Sequence, residues 1–594
     1  MKVMLPLFVC LWATVAGAQS RSWPDGYWSE AKAIEILSRT ETVRLAPDLS
    51  GLAAEERAGL QELLQAGEIM QRLYEESRHP EALTSRARLR ELEQSLGTTG
   101  ARHLVTLYDL FQGPIASTLD NAREPFLPVA PPVAGRNVYP TDLTRAELDA
   151  FLAVHPERRS SLLDERTIVR RATAENLSRD RDALGTGPLA TLHPTLARDL
   201  RDLSARPDPK VLYAVPYAVA YAPDLMRAFT HLMAAADRLE AGDQEFARYL
   251  RNRARDLLSN DYESGDASWV TGRFTRFNAQ IGAYETYDDS LTGRKAFHGL
   301  SLLLQNEPAT TELRRDLGGL QEIENALPYD AHKRVRDDIS VGVYDVIADF
   351  GQARGTNTAT ILPNDPLFSR RYGRTILLRE NIMKHPEIFA ADMRIWRTAT
   401  ADPHAADLTS DGNFRRTLWH EIGHYLGVDR DRTGRDLDVA LEEWADALEE
   451  MKADLVSLFA AQVLRERGTL PEATLRAVQA SGIRRVILNI RPRSDQPYQV
   501  MQLAQFNYFI DKGLLDSDPQ TGRLTIHYDR YPAVVASLLK EVLAVQYQGD
   551  KAAAGSFFER WGAWTPNVHE RLAARVRDAQ GARFRLVHYA ALGQ

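Results

Sequence analysis

His420-Glu421-Ile422-Gly423-His424 can do metal chemistry in only one kind of backbone, an α-helix. Residues four apart on a helix share a face, so His420 and His424 can point at one metal ion. Glu421 sits one step round, where its carboxylate can hold and deprotonate a water bound to that metal. Arg416-Thr417-Leu418-Trp419 leads in without Pro or Gly, and Gly427 reads as the helix terminator. Gly423 inside the helix costs about 1 kcal/mol relative to Ala. Close approach by metal, substrate or neighbouring backbone would explain accepting that cost. The plain alternative is two surface histidines that happen to share a helix.

A catalytic zinc usually takes three protein ligands and leaves one position for water. The candidates for the third lie in Leu441–Asp454. Leu441, Trp444, Leu448, Met451, Leu455 and Leu458 form one apolar stripe at helical spacing. Glu450 and Asp454 lie four apart on its flank. Glu450 can bind the metal, and Asp454 can accept a hydrogen bond from the free ring nitrogen of a liganding histidine. Glu442 and Asp446 have the same spacing, so the residues alone leave both pairs open, beside the reading of a solvated acidic face.

Glu449-Glu450-Met451-Lys452-Ala453-Asp454 resembles the second motif of the dipeptidyl peptidase III family of zinc exopeptidases, E-E-C-R-A-E or a close variant. The resemblance implies one zinc per chain, Glu450 as third ligand, and Glu449 and Asp454 as hydrogen-bond partners of the histidines. The family's first motif is usually the hexapeptide H-E-x-x-x-H. The pentapeptide here resembles a minority of bacterial members. Ile281–Asp289 resembles the family segment E-T-Y-x-D, which implies that Glu285 holds the substrate's free amino group and that Tyr287 bonds the scissile peptide region. Leu362-Pro363-Asn364-Asp365 resembles a segment whose asparagines grip the substrate N-terminus. Asn364 matches; Ile361 stands at the neighbouring asparagine position. Ala504–Gly513 resembles a helix that begins, in bacterial relatives, with a histidine that stabilises the transition state. Tyr498 stands there. These matches run from about residue 280 to about residue 515. Without the resemblance, Glu285 and Asn364 read as loop and turn residues, and Tyr287 and Tyr498 as partly buried packing tyrosines.

Helical periodicity dominates the chain. It predicts helices over 52–76, 83–113, 144–180 and 222–260, with a Pro-rich connector over 114–140. Strand-like runs are Val211–Val215, Thr375–Leu378, Arg484–Leu488 and Arg583–Val587. The fold class expected is mostly α with a small β component (α+β). The resemblance implies two lobes separated by a wide cleft, with the zinc site on the helical lobe. The segments expected are a signal peptide, 1–18; the first part of a lower lobe, 19–305; a zinc-binding lobe, 306–344 and 392–569; and lower-lobe return segments, 345–391 and 570–594.

Met1–Ala18 reads as a secretory signal: Lys2, an apolar run from Leu5 to Val15, and the small residues Ala16-Gly17-Ala18 before Gln19. The one cysteine, Cys10, falls inside it, so the mature chain has no disulfide and no thiolate ligand. The expectation is an exported protein, periplasmic or secreted, with no stable membrane insertion after signal cleavage. A net charge of −8 and scattered arginines speak against nucleic acid. The expected partner is a peptide substrate. The function expected is a zinc-dependent exopeptidase releasing dipeptides from a free N-terminus. An aminopeptidase, an endopeptidase and a catalytically weakened peptide-binding homologue are the rivals.

Overall fold

The structure is a computed structural model, and it describes residues 23–335, 340–355, 357–362, 368, 371–488 and 497–594. The expected signal segment and Asn364 lie outside the described residues. Ile361 and Tyr498 are placed by their backbone alone. No helix among the described residues is long and apolar enough to cross a membrane.

Two compact units make up the chain. The smaller comprises, of the described residues, 23–37 and 81–132. Its helices are Glu30–Leu37, Ala82–Leu96 and Thr99–Phe111. The helical stretch expected over 83–113 is there, as two helices. Gly97 adopts φ +63°, which ends the first helix, and the Thr98 side chain caps the second by accepting from Ala101 N at 3.3 Å. The Pro-rich connector follows, with a short hairpin of Ile115–Ser117 and Arg123–Pro125.

The larger unit comprises Ser38–Pro80 and Val133–Gln594. Its centre is a five-stranded sheet of β1 (Phe277–Glu285), β2 (Phe297–Gln305), β3 (Ser340–Gly351), β4 (Ala359–Leu362) and β5 (Thr375–Arg379), in the order β1-β2-β3-β5-β4. All neighbours are antiparallel except the parallel pair β3–β5. Side chains alternate between faces, so β5 sends Leu377 into one hydrophobic core and Ile376 and Leu378 into another. The first core includes the helices Ala54–Arg78 and Ala222–Leu239. The second is built on helices from Pro386–Ala399 to Tyr531–Gln548. The chain is mostly helical with this small sheet, the α+β class expected.

Helices occupy 222–260 as expected, Ala222–Leu239 and Gln244–Ser259, and Asp243 starts the second by accepting from Phe246 N at 2.9 Å. Several expectations fail for physical reasons. The helix expected over 144–180 is interrupted by a strand, Thr167–Ala172, paired with Asp208–Pro216. Arg484–Leu488 is no strand. It ends the helix Glu472–Ile487, where Val486 and Ile487 are fully buried, and packing overrides their β preference. β1, β2 and β3 were not anticipated. β2, Phe-His-Gly-Leu-Ser-Leu-Leu-Leu-Gln, is buried on both faces and carries no alternation to betray it.

Candidate active site

Two helices carry the candidate metal ligands. The motif helix, Ser410–Gly423, is capped by Thr409, whose side chain accepts from Gly412 N at 3.0 Å. Phe414, Leu418, Trp419 and Ile422 anchor it in the second core. The acidic helix, Ala445–Glu466, buries Leu448, Met451, Leu455 and Leu458 in the same core. Gly423 sets their crossing. A Cβ there would lie 2.8 Å from the carbonyl oxygen of Ala453, so the two backbones meet at a point that only glycine permits. The motif helix ends at Gly423, earlier than Gly427 suggests. His424 keeps helical dihedrals (φ −67°, ψ −21°), so its relation to His420 survives.

The crossing brings His420, His424 and Glu450 together, with one ligand atom from each within 4.8 Å of the others. His420 Nε2 lies 3.3 Å from Glu450 Oε2. Two ligands each about 2.0–2.1 Å from a tetrahedral zinc stand about 3.3–3.4 Å apart. The spacing and the mix of imidazole and carboxylate donors therefore fit such an ion. The rival Glu442 is exposed, sits at φ +51° and bonds Lys551 at 2.8 Å; Asp446 is also exposed.

Each histidine is held from behind. His420 Nδ1 lies 2.7 Å from Asp454 Oδ1, and His424 Nδ1 lies 2.9 Å from Glu449 Oε1. This leaves both Nε2 atoms for a metal. Burial opposes protonation of His420, but the Asp454 charge overrides it and, with Glu450 and Glu421 adding, lifts its pKa to about 9. Glu449 also feels burial, yet Lys452 and His424 hold its pKa down at about 2. Lys452 lies 2.8 Å from Glu449 and donates to Leu426 O at 2.9 Å. Arg416 and Arg485 both donate to Asp454. Glu421 is half-buried beside the cluster on the motif helix.

Glu285 and Tyr287 come from the end of β1. The register with β2 shifts between Ala283, opposite His298, and Glu285, opposite Phe297. The segment beyond is pinned by its two aspartates. Asp288 accepts from Tyr74 Oη at 2.9 Å, and Arg136 donates to its backbone carbonyl at 3.0 Å. Asp289 is buried and accepts from the backbone N–H groups of Leu291, Thr292, Arg294 and Lys295, and from the hydroxyls of Thr292 and Tyr139. Burial opposes its charge, but these donors win and its pKa is lowered. Tyr287 is left 85% exposed. Its pKa is raised, first by the charge of Glu285, with that of Glu450 adding. Burial raises the pKa of Glu285 itself. Tyr498 lies in the first turn of the helix Pro497–Asp511.

The pinning role of Asp288 and Asp289 escaped the sequence reading, as did Lys452, Arg416 and Arg485. Arg416 could have been found, because it precedes His420 by one helical turn. Arg485 could not, since its segment reads as a strand. A cavity of about 980 Å³ lined by Trp269, Arg314 and Tyr372 among others contains no residue of the metal cluster. The site is therefore identified by its chemistry.

No family model matches the chain. A solved structure of dipeptidyl peptidase III from Caldithrix abyssi superposes with a TM-score of 0.79 over 94% of this chain and 99% of that one, at 23% identity. The chain has the dipeptidyl peptidase III fold. Dipeptidyl-peptidase III from Corallococcus sp. strain EGB gives a TM-score of 0.72 over 96% of this chain and 98% of that one, at 24% identity. A curated protein, Nudix hydrolase 3 of Arabidopsis thaliana, is 26% identical over 437 residues, 72% of this chain. The match covers 54% of that protein, so the chain spans about half the length of its curated relative.

Proposed function

We propose that this chain is a zinc-dependent exopeptidase that releases dipeptides from the free N-terminus of peptides. The observation that carries the proposal is the convergence of His420, His424 and Glu450 on one point, with Glu421 adjacent, in a dipeptidyl peptidase III fold. His420, His424 and Glu450 hold the ion, and Asp454 and Glu449 fix the two imidazoles. Bound zinc would polarise the scissile carbonyl and bring the pKa of its water to near 7. Glu421 takes a proton from that water and later delivers it to the leaving amine. Tyr287 and Tyr498 donate to the developing oxyanion, a role worth about 3–4 kcal/mol for a well-placed donor. Glu285 and Asn364 clamp the substrate's ammonium group, and the loss of solvent around Glu285 strengthens that pairing.

The reading includes a zinc-bearing lobe of residues 306–344 and 392–569, supported by a shared core that runs through Leu327, Leu418, Leu455 and Leu539. It also includes export directed by Met1–Ala18, which N-terminal sequencing of the mature protein tests. Hydrolysis of the kind named by the Arabidopsis relative is not part of the proposal, since the match covers only 54% of that protein.

Elemental analysis joined to peptide hydrolysis tests the proposal. The expected result is one zinc per chain, activity lost to a chelator and restored by zinc. Full activity in metal-free protein would refute it.

A further inference from the structure

The two histidines are supported unequally. His424 leans on Glu449, whose side chain is 33% exposed and which meets one cation, Lys452. His420 leans on Asp454, whose side chain is 4% exposed and which meets two. Arg416 donates from its terminal nitrogen to Asp454 Oδ1 at 2.9 Å. Arg485 Nε lies 3.2 Å from Oδ1 and 3.0 Å from Oδ2. His420 Nδ1 completes the set at 2.7 Å from Oδ1.

These partners come from three helices. Arg416 and His420 share the motif helix, four residues apart and on one face. Asp454 belongs to the acidic helix, and Arg485 to the helix Glu472–Ile487. A buried carboxylate that faced His420 alone would be free to swing about its χ angles. Two guanidiniums in fixed directions remove that freedom and compensate its charge away from water.

We propose that Arg416 and Arg485 are positioning residues for the metal centre: they clamp Asp454 so that it holds the ring of His420 with Nε2 aimed at the point shared with His424 and Glu450. Their proposed effect on the metal centre runs through Asp454. The clamp makes His420 the rigid ligand and His424 the more yielding one. The inference rests on the reading of the cluster as a zinc site.

Arg485 is the residue to change, because its side chain is 23% exposed and the fold tolerates its loss better than that of the buried Arg416. Zinc affinity is measured by chelator competition in the parent, Arg485→Gln, Asp454→Asn and the double variant, with the visible spectrum of the cobalt-substituted proteins alongside. Far-UV circular dichroism confirms that each is folded. Arg485→Gln is expected to weaken zinc binding by roughly 10- to 100-fold and to alter the cobalt spectrum. The double variant should bind no more weakly than Asp454→Asn alone, because the arginine works through that carboxylate. If Arg485→Gln does not fold, Arg485→Lys, which keeps the charge but loses the fork, takes its place with a smaller loss expected. Parent-like affinity and spectrum in the arginine variant, or losses that add in the double variant, would overturn the clamp. A parent protein that takes up no zinc would instead sink the zinc reading itself.

Discussion

The candidate metal cluster and the end of β1 are built on different plans. His420, Asp454 and Arg416 are buried between crossing helices, where Asp454 lies 2.7 Å from His420 Nδ1 and accepts from Arg416 at 2.9 Å. Tyr287 is 85% exposed and Glu285 half-buried, on a segment kept in shape by the aspartates that follow. Under the proposed function, the difference separates two tasks. Holding a metal demands ligand atoms placed to fractions of an ångström before anything binds. Gripping a peptide end demands groups that remain open to solvent until the substrate arrives.

The contrast is broken most forcefully at Glu421. Glu421→Gln should keep its metal and lose roughly 10²–10⁴-fold in kcat, because the carboxylate moves protons and is not a ligand. Metal content and turnover measured on one preparation decide this; loss of both together would make Glu421 a ligand. Next comes the third ligand. Glu450→Ala should weaken zinc binding by more than about 100-fold, beyond the usual effect of an outer partner. Glu442→Ala, which loses only a surface bond to Lys551, should bind zinc like the parent. Equal metal retention in the two variants would move the third ligand elsewhere.

The β1 end predicts a smaller and more selective effect. A charge-assisted bond between Glu285 and a substrate ammonium contributes about 1.5–3 kcal/mol, so Glu285→Ala should lower kcat/KM on free peptides by roughly 10- to 150-fold. N-acetylated peptides should lose little more, and a loss equal on both would show that Glu285 does not read the N-terminus. The smallest effect is on acid stability. The pKa of Asp289 is lowered in the folded chain from an ordinary 3.8. Its contribution is therefore complete above about 3.8 and fades as pH falls below that value. Asp289→Asn should flatten that part of the acid unfolding curve, read by circular dichroism. An unchanged curve would mean that Asp289 does not hold the segment in its charged form.

How legible each half is in the sequence follows from the same contrast. The ligand set is written at helical spacing within two short segments, so His420, Glu421, His424 and the pair Glu450 and Asp454 could be read one turn at a time. Spacing alone did not decide between Glu450 and Glu442, because that depends on the crossing at Gly423 and Ala453, some thirty residues apart in sequence; the resemblance at 449–454 pointed to Glu450. Glu285 and Tyr287 were reached only through a resemblance. Their placement rests on a register shift against β2 and on Asp289 gathering N–H groups from the residues that follow it. β1 to β3 are doubly buried, and a sheet of that kind has no two-residue rhythm to announce it. Arg485 was misread because Val486 and Ile487 favour strands when judged locally, while the core around them favours a helix.

The account stands or falls on how peptides are cut. Zinc-loaded protein incubated with a free heptapeptide and its N-acetylated twin, followed over time by mass spectrometry, tests it directly. The expected result is successive loss of dipeptides from the free N-terminus and almost no change in the acetylated peptide. Internal fragments, or equal cleavage of the two, would contradict the exopeptidase account and leave a zinc endopeptidase as the better description.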